Sequence, residues 1–85
     1  MPDETGTFGW ALAQLRAGLR VMRHGWNGKN MFLELVPAAD WDSSVCLDAP
    51  RQPFIAMYTA EPTWVPWLAS QSDLLAGDWS HFDGC

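Results

Sequence analysis

The chain has few cysteines and few basic residues, and each of these scarcities excludes a class of protein. Its two cysteines, Cys46 and Cys85, are too few for the disulfide scaffold of a small secreted domain. Five Lys and Arg against ten Asp and Glu argue against a nucleic-acid polymer as partner, since its phosphates require a row of basic side chains. No apolar run approaches the roughly 18 residues of a membrane span, and the opening MPDETG lacks the basic segment of a signal peptide. We therefore expect a cytoplasmic protein with reduced thiols and no membrane partner.

Recognisable metal and catalytic patterns are scarce as well. The soft ligands have no paired zinc-site spacing; they are His24, Cys46, His81 and Cys85. No set of nucleophile, base and orienting group can be named from the residues. We expect neither a metal, a cofactor nor catalysis.

Aromatic residues, in contrast, are abundant: six of the 85 residues are tryptophan. A chain of this length forms one domain, and such a domain buries only about 60–65% of the surface that its unfolded chain exposes. Small domains usually add a disulfide, a metal or a partner subunit. With the first two disfavoured, self-association is the expected additional stabiliser.

An N-terminal helix is predicted between Thr7, a good N-cap, and Gly18, which suits the left-handed position after a helix end. One apolar stripe follows the helical period and consists of Phe8, Leu12, Leu15 and Leu19. Trp10 falls on the opposite side with two alanines. One face is therefore expected to meet the sheet, and the face with Trp10 to meet a partner.

The rest of the chain predicts short strands and one short helix. Strands are expected at 21–23, 31–36, 54–59, 64–65 and 79–82, and an irregular connection at 37–53. Ser70 and Asp73 form a capping-box sequence that opens a helix over 73–76, closed by Gly77. The predicted class is α+β: a single domain over 1–85, with a small antiparallel sheet, the N-terminal helix packed on it and a short second helix. Trp64 and Trp79 are expected in the sheet core.

Two segments have the chemistry to bind a nucleotide. Trp26, Asn27 and Lys29 offer an aromatic face for a base, an amide for its edge and a cation for a phosphate. The helix start at Ser70 offers backbone N–H groups, and Asp73 offers an acceptor for a ribose hydroxyl. The same residues also fit a plainer interpretation, in which Asn-Gly is a turn and the tryptophans fill the core.

Two longer strings resemble a known family. They are GWNGKNMFLELVP at 25–37 and YTAEPTWVPWLASQSDLLAGDW at 58–79, and they follow a Thr-Phe-Gly helix start at Thr7. Together they are similar to the second type of Thoeris anti-defence protein, a small phage and prophage family. The paired motifs W-N-G-K and P-W-L-x-S-Q-x-D-L-L-A-x-D-W are specific in combination, and the resemblance spans residues 7–82.

The resemblance implies a cytoplasmic sponge in the infected host: a homotetramer that sequesters glycocyclic ADP-ribose without degrading it. Some members of the family also hold cyclic dinucleotides or trinucleotides at separate pockets. Carried over by resemblance, the ligand-binding residues are Trp26, Asn27, Lys29, Trp67, Ser70, Gln71 and Asp73.

The sequence departs from the family pattern at Asn30, at Glu61-Pro62, at Trp64 and at Trp10, where an acid often completes a capping box. These departures bear on which nucleotide is preferred, because one bulky side chain can close a pocket. The alternative hypothesis is a non-enzymatic phage protein-interaction module whose tryptophans anchor interfaces.

Overall fold

The computed structural model describes residues 4–26, 30–40 and 51–82. Its helices and strands are α1 (Phe8–Arg16), β1 (Val21–Arg23), β2 (Phe32–Val36), β3 (Phe54–Tyr58), β4 (Trp64–Pro66), α2 (Gln71–Leu75) and β5 (Trp79–His81). The five strands pair antiparallel in the order β4-β3-β2-β1-β5. This architecture confirms the predicted α+β class. No helix within the described ranges is long and apolar enough to span a bilayer.

Local signals set both ends of α1 as predicted. The Thr7 hydroxyl accepts a hydrogen bond from the backbone N–H of Trp10. At the other end Gly18 has a φ of 87°, and the N–H groups of Gly18 and Leu19 return to the carbonyls of Leu15 and Gln14. This pair of bonds is a Schellman motif. Leu19 was expected in the apolar stripe, but it follows the helix end and is exposed.

The core lies between α1 and one face of the sheet. Ala11 and Leu15 of α1 pack with Val21, Leu33 and Trp79, and all five are buried. The pairing of Val21 with Leu33 places them on the same face. Full burial of a Val or Leu side chain contributes about 1.5–3 kcal/mol, so this small cluster supplies much of the stability of the domain.

The opposite face of the sheet carries a second aromatic group. The Phe32 ring lies 5.1 Å from Tyr58, 5.4 Å from Trp64 and 4.3 Å from Phe82. The prediction that Trp64 fills the sheet core is wrong, because its side chain is 51% exposed. Its strand is at the edge of the sheet, and its pairing with Tyr58 puts it on the face away from α1. The same prediction is confirmed for Trp79.

At two glycines with positive φ, an added methyl group should lower the free energy of unfolding by different amounts. Gly6 (φ 101°) is buried, and a Cβ there would lie 2.7 Å from the carbonyl oxygen of Gly77. Gly18 has open space around its Cβ position. We expect Gly18→Ala to lower the free energy of unfolding by about 1–2 kcal/mol, the cost of the left-handed backbone alone. Gly6→Ala should lower the free energy of unfolding by about 1–3 kcal/mol more than that, because its methyl group also overpacks the site. Urea unfolding of both variants measures the difference, and equal costs would contradict the close approach.

Candidate ligand site

A charged side chain interrupts the apolar face of β1. Alternation along the strand puts Arg23 on the same side as Val21, and its side chain is only 19% exposed. Its Nη1 donates to Oδ1 of Asp73 at 2.7 Å, and its Nε donates to Oδ1 of Asp78 at 2.9 Å. Two carboxylates therefore compensate the partly desolvated guanidinium. We call these three residues the Arg23 bridge.

The Arg23 bridge also fixes the start of the first motif. The backbone N–H of Gly25 donates to Oδ2 of Asp78 at 2.8 Å, and that of His24 donates to the Asp78 carbonyl at 3.2 Å. These bonds tie the 3₁₀ turn His24–Trp26 to the residue just before β5. The two motifs, distant in sequence, therefore meet at this edge of the fold.

The start of α2 is closed by its own side chains. The Ser70 hydroxyl accepts from the N–H of Asp73, and Oδ2 of Asp73 accepts from the N–H and hydroxyl of Ser70. The predicted capping box is confirmed, although the helix begins at Gln71 rather than at Asp73. Both oxygens of the Asp73 carboxylate are thus in use within the chain. Asp73 organises the scaffold, and its contact with a ligand stays a prediction.

Trp26 and Trp67, the two tryptophans predicted to contact the ligand, both pack against the buried indole of Trp79. The Trp79 ring has its centroid 5.5 Å from that of Trp26 and 6.0 Å from that of Trp67, both edge-on. Phe8 approaches the same ring at 5.4 Å. The Trp79 indole Nε1–H donates to the carbonyl of Asp73 at 2.9 Å. Trp26 and Trp67 are half-buried, so each both packs on the core and keeps part of its surface open.

The structure brings four of the seven predicted residues to this place: Trp26, Trp67, Ser70 and Asp73. Gln71 is exposed in the first turn of α2. Asn27 and Lys29 lie outside the described residues. Among the described residues, no group of three or more His, Cys, Asp or Glu side chains is placed to hold a metal ion.

Sequence reasoning missed Arg23 and Asp78. One signal for Arg23 was present, since an arginine alternating with a buried valine on a short strand requires an anionic partner. Nothing local identifies those partners, which are 50 and 55 residues away. Asp78 lies within the second motif string, but its neighbours in sequence suggested no role for it.

The ion pairs shift the acidity of all three groups of the Arg23 bridge. Hydrogen bonding to Arg23 holds the pKa of Asp78 below its usual value, against an opposing effect of burial. Burial raises the pKa of Asp73, but hydrogen bonds from Arg23 and Ser70 outweigh it, and the net shift is downward. The pKa of Arg23 is raised by its bonds to Asp78 and Asp73. The bridge is therefore fully charged at neutral pH.

We expect the bridge to lose its contribution to stability in acid. A carboxylate whose folded pKa is depressed stabilises fully above the unfolded pKa of about 3.9, and this contribution is lost as pH falls through the folded value. The free energy of unfolding should therefore fall from about pH 4 downward, and less steeply in Asp78→Asn. Urea unfolding at pH 7, 4 and 3 measures both slopes. If the free energy of unfolding fell equally steeply with pH in wild type and in Asp78→Asn, the contribution assigned to the Asp78 carboxylate would be contradicted.

Comparison with known proteins identifies the family. Residues 6–82 match the model of the Thoeris anti-defense 2-like domain. The chain belongs to this family. The protein named Thoeris anti-defense 2 of Bacillus phage SP01 is 40% identical over 80 residues, which cover 86% of this chain and 90% of the relative. The resemblance read from the paired motifs is thereby confirmed, and the family match contains both motifs and the whole Arg23 bridge.

Proposed function

We propose that this member of the Thoeris anti-defense 2-like family is a phage anti-defence protein that acts in the cytoplasm of an infected bacterium. It binds glycocyclic ADP-ribose, a cyclic nucleotide immune signal, and sequesters it without cleavage. Family membership supports the anti-defence role. The observation that carries the binding role is the convergence of both motifs on Trp79, through Trp26 and Trp67.

The charges at this place restrict how a nucleotide is held. Arg23 faces two carboxylates, so it offers no unpaired positive charge to a phosphate. The chain as a whole carries −5, which opposes an anionic ligand at long range. Attraction must then be local, and we assign it to Lys29, three positions after Trp26 in the first motif. The half-buried tryptophans offer stacking surface, and the exposed Gln71 offers an amide for a base edge or a ribose.

Lys29→Ala should weaken binding of glycocyclic ADP-ribose by about tenfold or more, because a hydrogen bond to a charged group contributes about 1.5–3 kcal/mol. Calorimetric titration of the purified variant measures the affinity. Arg16→Ala removes the same charge from the exposed last turn of α1 and is the matched control. Unchanged affinity in Lys29→Ala would contradict the assigned role.

The proposal includes assembly into a homotetramer. Leu68 is 92% exposed and Leu75 is 83% exposed, while Leu74 nearby is about half exposed. Such apolar surface on a small domain favours a protein partner. Native mass spectrometry at micromolar concentration should show a tetramer, and a monomer would contradict it. The same leucines also favour the alternative function, a protein-interaction module that binds no nucleotide.

A further inference from the structure

We propose that Arg23 and Asp78 are positioning residues for ligand binding, because they set the place of Trp26 relative to Trp67. This inference rests on the proposed function, in which those two tryptophans contact the nucleotide. Neither Arg23 nor Asp78 is assigned a contact with the ligand. They act through the backbone that leads into Trp26.

Asp78 is the centre of this arrangement, because it contacts three separate groups. One carboxylate oxygen accepts from Arg23 and the other accepts from the N–H of Gly25, while the Asp78 carbonyl accepts from the N–H of His24. Trp26 is the next residue along the chain after Gly25. The carboxylate thus anchors the backbone one residue before the indole that it places.

Gly25 shows how closely the turn approaches the bridge. A Cβ at this position would lie 3.1 Å from Oδ2 of Asp78 and 3.4 Å from Nη2 of Arg23. The shorter of these distances is tighter than nine in ten real Cβ contacts, so a methyl group here would require the turn or the Asp78 carboxylate to shift by a few tenths of an ångström. The turn is therefore packed directly onto the ion pairs as well as hydrogen-bonded to them.

Trp67 shares with Trp26 the ring contact to Trp79, but its other contacts do not involve Arg23 or Asp78. Its backbone N–H donates to the carbonyl of Ile55 at 2.9 Å, and its ring lies 5.9 Å from that of Phe8. Trp26 has its ring contact with Trp79 and the anchored turn before it. Loss of the anchor should therefore displace Trp26 while Trp67 stays in place. If Arg23 and Asp78 only stabilised the fold, their loss should affect Trp26 and Trp67 to the same extent.

Asp78→Asn tests the inference, since the amide removes the negative charge and keeps a single acceptor oxygen for two donors. Glu34→Gln makes the same chemical change in the more exposed pair with Arg20 and is the control. ¹H–¹⁵N spectra of the indole groups, recorded without ligand below the unfolding transition, report each tryptophan separately. We expect the Trp26 resonance to shift in Asp78→Asn, and the Trp67 resonance to stay within the range seen for the control.

Affinity for glycocyclic ADP-ribose is the second readout. We expect it to fall about tenfold in Asp78→Asn and to stay within about twofold of wild type in Glu34→Gln, a tenfold change being about 1.4 kcal/mol. An unmoved Trp26 resonance, or unchanged affinity in Asp78→Asn while wild type binds, would overturn the inference. Failure of the wild-type protein to bind would instead overturn the proposed function, and the spectra would still test the positioning.

Gly25→Ala is a second route to the same displacement should Asp78→Asn fail to fold. Its added methyl group would lie 3.1 Å from Oδ2 of Asp78, so the turn and the carboxylate must separate by a few tenths of an ångström, and no charge is removed. It should shift the Trp26 resonance and weaken binding in the same direction as Asp78→Asn. A folded Gly25→Ala variant with wild-type spectra and affinity would overturn the inference.

Discussion

Trp79→Ala should remove a large part of the stability of the domain, with a loss of about 3–5 kcal/mol in the free energy of unfolding. The side chain is 2% exposed and packs edge-on with Phe8, Trp26 and Trp67. Truncation leaves a cavity between α1 and the sheet and deprives three rings of their common neighbour. It also leaves the Asp73 carbonyl without the indole donor. A chain of this size has a total stability of roughly 5–10 kcal/mol.

The matched control is Trp64→Ala, which removes the same side chain from a half-exposed position. Trp64 contacts Phe32 and Tyr58 on the opposite face of the sheet, and half of its surface is already in water. Its truncation should lower the free energy of unfolding by about 1–2 kcal/mol, since Trp64 buries less apolar surface than Trp79 does. Urea unfolding followed by circular dichroism compares the two variants. Equal losses would contradict the assignment of Trp79, rather than Trp64, to the core.

Arg23→Ala should also be strongly destabilising, with a loss of about 2–4 kcal/mol in the free energy of unfolding. The substitution leaves Asp73 and Asp78 close together with no cation between them, in a place where both are partly withdrawn from water. Their pKa values, now held low by Arg23, should then rise, because two like charges share a partly desolvated site. The turn that carries Gly25 would lose a rigid anchor at the same time.

Arg20→Ala is the control for this prediction. Arg20 pairs with Glu34 at 3.3 Å, with side chains that are 43% and 39% exposed, and it lies over the Phe32 ring. Pairs of this kind contribute about 0–1 kcal/mol. Thermal and urea unfolding at pH 7 measure both variants. A loss in Arg23→Ala no greater than that in Arg20→Ala would show that the bridge does not stabilise the domain.

Local features of this fold were predictable from the sequence because their causes lie within a few residues. The Thr7 cap, the left-handed Gly18 and the capping box at Ser70 each depend on hydrogen bonds to neighbours in the chain. The positions of the five strands followed from short apolar segments between turn residues, and their ends agree to within one residue. The paired motifs then identified the family.

Long-range features were not predictable because their causes lie far along the chain. Trp64 and Trp79 look alike in sequence, and both lie on edge strands. Only the pairing register separates them: it places Trp79 opposite Arg23 on the face beneath α1, and Trp64 opposite Tyr58 on the other face. Arg23 meets carboxylates 50 and 55 residues away. Of the candidate site, the motifs predicted which segments would meet. They did not predict that Asp73 would be bound to Arg23 or that Asp78 would anchor Gly25.

The most direct test of sequestration is recovery of the signal itself. The purified protein is incubated in an extract of cells with activated Thoeris defence, separated from free small molecules, heated to unfold it, and the released material is analysed by mass spectrometry. We predict recovery of intact glycocyclic ADP-ribose, in an amount reduced in Lys29→Ala and unchanged in Arg16→Ala. Release of no nucleotide would contradict binding, and release of a cleaved product would contradict sequestration without catalysis.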